Sequence, residues 1–214
     1  MGFKERLTKE WLFWDGGTGS VLQSWGLQAG ELPETWNINH PEKIVELNKG
    51  YLEAGCDIIN TNTFGANRLK YPDNLEEIVT KAVEHAKKAR ELTGRGDALI
   101  ALDLGPTGKL LEPLGDLSFD DAVDIYAEVI EYGTKAGADV ILIETMQDSY
   151  ELKAAVLAAK EHSHLPVCAT VVFDEKGKML TGGTPESVVA VLEGLHIDAL
   201  GINCSLGPTQ IKPF

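Results

Sequence analysis

The chain is 214 residues long and carries a formal charge of −14, from 33 acidic and 19 basic side chains. With 43% apolar and 24% charged residues it has the composition of a globular domain with a full core, which excludes a disordered or fibrous chain. The acidic balance and the lack of a basic stripe exclude nucleic acid and anionic membrane as partners. No apolar run approaches the roughly 20 residues that a membrane-spanning helix needs. The opening Met-Gly-Phe-Lys-Glu-Arg offers neither a secretory signal nor a myristoylation site. The odd set Cys56, Cys168 and Cys204 is too sparse for a disulfide framework, so a reducing, cytoplasmic setting is expected.

In chain order, β-rich runs and helical stretches alternate. A strand is predicted at Trp11–Asp15, followed by a helix at Glu42–Ala54 with apolar residues three and four apart. Next come a strand at Asp57–Thr63, a helix at Leu75–Leu92 and a strand at Ala98–Leu104. The helix Phe119–Ala136 begins after Ser118, with Asp121 in the capping-box position. A strand at Asp139–Thr145, a helix at Ser149–Glu161 and a strand at Val167–Phe173 follow. The helix Pro185–Leu195 has Thr184 as its cap and Pro185 in the first helical position, and a last strand covers Ala199–Cys204. The strands are almost wholly apolar, as in a parallel sheet buried on both faces. Ala-Gly-Cys-Asp-Ile-Ile and Ala-Gly-Ala-Asp-Val-Ile are two copies of a helix-stop, strand-start phrase, with Gly55 and Gly137 supplying left-handed caps. The whole reads as one continuous α/β body with about six of the eight βα units of a closed barrel.

Polar residues gather at the C-terminal ends of these strands, the rim that carries chemistry in (β/α) barrels. Asp15-Gly-Gly-Thr-Gly lacks the lysine of a P-loop and the spacing of a dinucleotide fold. It reads either as a tight turn with Asp15 capping a helix, or as backbone amides that hold a carboxylate while Asp15 meets an ammonium. Glu144 ends an apolar strand and needs a partner, either a structural cation or, with Asp15, a ligand ammonium. Acid–base chemistry by Asp15, Asp103 and Glu144 is a further reading. Cys204, at a strand end before Gly207-Pro208, is the cysteine best placed for chemistry, whereas Cys56 and Cys168 read as small core residues. The five histidines lie away from the rim, and Trp11, Trp14, Trp25 and Trp36 read as packing around the start of the fold.

Taken in order, Asp15-Gly-Gly-Thr-Gly19, Pro33-Glu-Thr-Trp-Asn37, Tyr51 to Asn67, Asp103-Leu-Gly-Pro-Thr-Gly108, Glu144-Thr145 and Gly201-Ile-Asn-Cys-Ser-Leu-Gly-Pro208 resemble the homocysteine-binding domain of homocysteine S-methyltransferases. The Asn-Cys-Ser-Leu-Gly-Pro form is most similar to the cobalamin-dependent methionine synthase branch. The resemblance implies a (β/α) TIM-type barrel in which three cysteine thiolates hold Zn2+. The zinc-bound homocysteine thiolate then attacks the methyl group of methylcobalamin, which is carried by a separate corrinoid-binding domain or protein. It makes Cys204 a zinc ligand, gives Asp15 and Glu144 to the substrate ammonium and the backbone of Gly16 and Gly17 to its carboxylate. Asn62, Thr63 and Asn203 would shape the pocket. The other two ligands of the family pattern lie in a Gly-Gly-Cys-Cys sequence that this sequence lacks. Residues 1–214 are therefore expected to form one homocysteine-binding domain truncated before strands seven and eight. Such a piece is expected to be inactive alone, to hold no stoichiometric zinc and to self-associate through open barrel edges. The rival expectations are a metal-free, non-catalytic amino-acid-binding module and a betaine or S-methylmethionine type of homocysteine methyltransferase.

Overall fold

The computed structural model describes residues 2–214. Its elements, in order, are α1 (Phe3–Leu7), α2 (Thr18–Ser24), a 3-10 turn (Pro33–Thr35), α3 (Trp36–Asn39), α4 (Pro41–Glu53), β1 (Ile58–Asn60), α5 (Leu75–Thr93) and β2 (Leu99–Leu104). They continue as α6 (Phe119–Ala136), β3 (Val140–Met146), α7 (Ser149–His162), β4 (Val167–Val171), α8 (Pro185–Gly194), β5 (Ala199–Ile202) and α9 (Pro208–Ile211). The five strands form one parallel sheet in the order β1-β2-β3-β4-β5, with helices in every crossover. This is the α/β barrel architecture expected from the strand and helix alternation, with the barrel not closed.

The five long helices fall where the apolar spacing put them, and local chemistry fixes their ends. Ser118 Oγ accepts the Asp121 amide at 3.1 Å to start α6, and Gly137 ends it at φ 92°. Thr184 and Ser187 cap each other at the start of α8. Gly55 also takes a positive φ, 102°, so both copies of the helix-stop phrase turn as expected.

The strands alternate between two apolar surroundings, which is why they read as nearly continuous apolar runs. Ile100, Leu102, Ile141, Ile143, Val167, Ala169 and Val171 pack outward against the helices. Ile58, Leu99, Ala101, Val140, Leu142 and Cys168 face inward, together with Phe3 of α1. Continuing that inward set by twos toward the C-terminal ends reaches Asn60, Asp103, Glu144, Thr170 and Asn203. The concave face is therefore apolar at its floor and polar at its rim.

The predicted first strand is corrected. Only Trp14 pairs with β1, through an isolated parallel bridge to Ile58. Trp11 and Phe13 are 90% and 67% exposed, so this edge segment lacks the two-sided burial of the other strands. Trp11 is accordingly no packing residue, although Trp36 is buried as expected. The other strands lie within or close to their predicted spans, and the short helices between Thr18 and Asn39 were not foreseen.

Candidate functional site

A cavity of about 950 Å³ opens on the concave face, and most of its polar lining comes from strand ends. Asp15, Gly16, Gly17, Asn62, Glu144, Asn203 and Cys204, all singled out from the sequence, line it together. Thr63 does not line it. Thr63 is fully buried, donates from Oγ1 to the Asp103 carbonyl at 2.7 Å and shares a 2.6 Å hydroxyl bond with Thr61.

The loops at the rim are held by buried polar pairs, which accounts for several motifs. Asn37 and Asn62 bond reciprocally, with Asn37 Nδ2 on the Asn62 carbonyl at 2.8 Å and Asn62 Nδ2 on Asn37 Oδ1 at 3.0 Å. Glu34, buried on the 3-10 turn, accepts the Gly65 amide at 2.5 Å and the Tyr71 hydroxyl at 2.8 Å. Glu151 of α7 accepts the amide and the hydroxyl of Thr107, at 2.7 and 2.6 Å, and so pins the Gly-Pro-Thr-Gly loop. Gly105 leaves room for the Phe64 ring, because a Cβ there would stand 2.5 Å from it.

Asp15 Oδ2 accepts the Asn60 amide at 2.7 Å, but its Oδ1 is buried with no partner. Burial pushes Asp15 up to about 7, against the Asn60 hydrogen bond and with help from the Glu144 charge. Burial also raises Glu144. Asp103 stands well above the usual carboxylate range, through burial first and then the charges of Glu144, Asp15 and Glu34. Lys70 is the only basic residue lining the cavity among the described residues. The amides of Gly16 and Gly17 have no acceptor within the described residues. The cavity thus offers acidic oxygens for a cation and free N–H groups for an anion.

Across the cavity, strain gathers at the ends of β3 and β5. Thr145, Cys204 and Ser205 adopt left-handed φ values of 61°, 57° and 53°, unusual for residues with a Cβ and most so for a β-branched one. Asn203 Nδ2 donates to Thr145 Oγ1 at 2.9 Å, and both groups approach the Cys204 sulfur, at 3.8 and 3.9 Å. Thr145 also donates its amide to Thr170 Oγ1 at 3.3 Å. The sequence reading passed over Thr170 because its strand ends on apolar residues. The period of two counted from Cys168 would have found it.

Cys204 is the one thiol at the rim. Cys168 is buried on the floor, where burial pushes it up to about 12, and Cys56 contacts the Trp14 carbonyl at 3.6 Å. No three His, Cys, Asp or Glu side chains among the described residues are grouped to hold a metal ion. A catalytic zinc site takes three protein ligands, so the single rim cysteine, Cys204, does not fit one by itself.

A family model described as homocysteine S-methyltransferase matches residues 12–214. Methionine synthase of Mycobacterium tuberculosis is 31% identical over 216 residues, covering 92% of this chain and 18% of that protein. Methionine synthase of Mycobacterium leprae is 31% identical over 235 residues, covering 97% and 19%. The chain thus spans less than a fifth of the length of these relatives. The apo crystal structure of the Escherichia coli homocysteine methyltransferase MmuM superposes with a TM-score of 0.76 at 25% identity, over 94% of this chain and 74% of that one. Its metallated form gives 0.81 at 23%, over 92% and 76%, and supports the fold.

Proposed function

The chain belongs to the homocysteine S-methyltransferase family, and we propose that its cavity binds homocysteine for methylation at sulfur, the step that yields methionine. The observation that carries this reading is the convergence, in one cavity, of an unpaired Asp15 carboxyl oxygen, free Gly16 and Gly17 amides and the Cys204 thiol. An α-amino acid has an ammonium for Asp15 and Glu144 and a carboxylate for the two glycine amides. Its side chain then extends toward Cys204, between Asn203 and the Asn62 loop. Thr63 acts behind this wall by holding the Asp103 backbone.

Methyl transfer turns the homocysteine thiol into a thioether: the sulfur bonds the methyl carbon as the bond from that carbon to the donor breaks, and the thiol proton is lost. The donor we propose is methylcobalamin on a corrinoid-binding domain or protein, as the Asn-Cys-Ser-Leu-Gly-Pro form and the methionine synthase relatives suggest. Zinc belongs to the family reading, but the described donor set does not fit it. The same donor set favours a second reading, an amino-acid-binding module without metal. The three unpaired cysteines support a cytoplasmic setting, and the described helices include none long and apolar enough to cross a membrane. Exposed apolar residues at both sheet edges support association with a second copy.

Calorimetric titration tests the proposal. L-Homocysteine should bind with one-to-one stoichiometry, and more tightly than L-homoserine, which differs only in oxygen for sulfur. Equal affinities would favour the binding module, and no heat with either would overturn the homocysteine reading.

A further inference from the structure

Asp103 is a cavity carboxyl for which the family resemblance supplied no task. On β2 it lies in register with Leu142, on the same face as Glu144 two residues further along β3. Its backbone is held on both sides, the amide donating to Thr61 Oγ1 at 3.2 Å and the carbonyl accepting Thr63 Oγ1 at 2.7 Å. Its side chain has no such support. The residue is 6% exposed and lines the cavity, and Oδ1 is buried without a partner. Among the described residues no hydrogen bond or ion pair reaches its carboxyl group. A buried carboxyl left this way costs stability, and a structural role would bring a donor to it. The charged groups acting on it are Asp15 on the loop after Trp14, Glu144 on β3 and Glu34 on the 3-10 turn, and all three are acids. The carboxyl is therefore open to a cation or hydrogen-bond donor that enters the cavity.

We propose that Asp103 is a ligand-binding residue, its unpartnered carboxyl taking the α-ammonium of the amino-acid ligand together with Asp15 and Glu144. Asp103 thereby sets the preference of the cavity for an amino acid over the same molecule without its amino group. This inference rests on the homocysteine reading above and deepens it. The seated ammonium lies against the β2 end of the rim, where Thr61 and Thr63 fix the height of Asp103. Asp15, already bonded to the Asn60 amide, has one oxygen left for it.

The test is a comparison of L-homocysteine with 4-mercaptobutanoate, its counterpart lacking the amino group, by calorimetry on the full chain and on Asp103→Asn. The substitution should weaken L-homocysteine by about tenfold or more, the scale of a charge-assisted hydrogen bond, and leave 4-mercaptobutanoate within about twofold. Asp103→Glu, which restores the charge, should retain the preference for the amino acid and guards against misfolding of the first variant. Equal weakening of both ligands by Asp103→Asn would mean a structural role and overturn the proposal. Unchanged L-homocysteine affinity in Asp103→Asn would overturn it as well, with the homocysteine reading intact. No binding of either ligand to the unaltered chain would overturn both.

Discussion

Asn203 Nδ2 donates to Thr145 Oγ1 at 2.9 Å, and this one bond ties the end of β5 to the end of β3 above β4. It couples two strained positions, since Thr145 is left-handed and the residue after Asn203 is as well. Thr145→Ala and Asn203→Ala should each lower stability by about 1–2 kcal/mol. Because both remove the same bond, the double variant should lose less than the sum of the two. Urea denaturation of the four proteins checks this, and strict additivity would mean the tie contributes nothing.

Asp15 makes stability and binding depend on pH in opposite directions. Its pKa, about 7 in the fold, lies above the ordinary carboxylate value expected in the unfolded chain. A raised pKa gives stability that is present below the unfolded value and lost as pH rises through the folded one. Asp15→Asn should therefore stabilise the chain at pH 8, by about 2 kcal/mol, and change little at pH 4. A ligand ammonium favours the ionised carboxyl, so L-homocysteine affinity should fall by about tenfold or more between pH 7.5 and 5.5. Melting temperatures at the two pH values and titrations across the range are the readouts.

Much of this site is visible in the sequence because parallel strands advertise it. The inward residues of β2 and β3 run Leu99, Ala101, Asp103 and Val140, Leu142, Glu144, so the switch from apolar to acidic can be read by twos. Helix ends at Ser118, Thr184 and Gly137 are equally legible, since each is a local hydrogen bond or a positive φ. Thr63 was not, because whether a threonine faces a cavity or bonds a neighbouring strand depends on a partner 40 residues away. The first strand failed for the same reason. Trp11–Asp15 carries strand-like residues, but only its contact with Ile58 decides how much of it pairs. The short helices that carry Glu34 and Asn37 owe their place to tertiary bonds to Gly65, Tyr71 and Asn62.

Gly133 lies on α6 where the helix touches the sheet, and a Cβ there would collide with the Leu102 side chain. Gly133→Ala should destabilise by about 1–3 kcal/mol, although alanine is the better helix former. An increase in the denaturation midpoint would show that α6 can withdraw from β2 at no cost.

Arg6 anchors α1 beneath the sheet. Its guanidinium bonds Asp57 at 2.8 Å, Glu10 at 2.6 Å and the Asp97 carbonyl at 2.9 Å, and it is nearly buried. Arg6→Ala should cost about 2–3 kcal/mol, since Asp57 keeps the Phe13 amide and the more distant Arg95. Thermal unfolding measures it.

The edge segment that carries Trp11 and Phe13 and the opposite edge, where Leu200 is 46% exposed, both present apolar side chains to solvent. The chain should sediment as a concentration-dependent mixture of monomer and larger species. Phe13→Lys with Leu200→Lys should shift it toward monomer, and a monomer at all concentrations before substitution would contradict this.

We propose that the rim of this open barrel holds homocysteine between acids and amides, with its sulfur toward Cys204. A crystal structure of the chain grown with L-homocysteine tests it most directly. The ammonium should lie among Asp15, Asp103 and Glu144, the carboxylate on the Gly16 and Gly17 amides, and the sulfur should face Cys204. A ligand bound elsewhere, or turned so that its sulfur meets the acids, would contradict it.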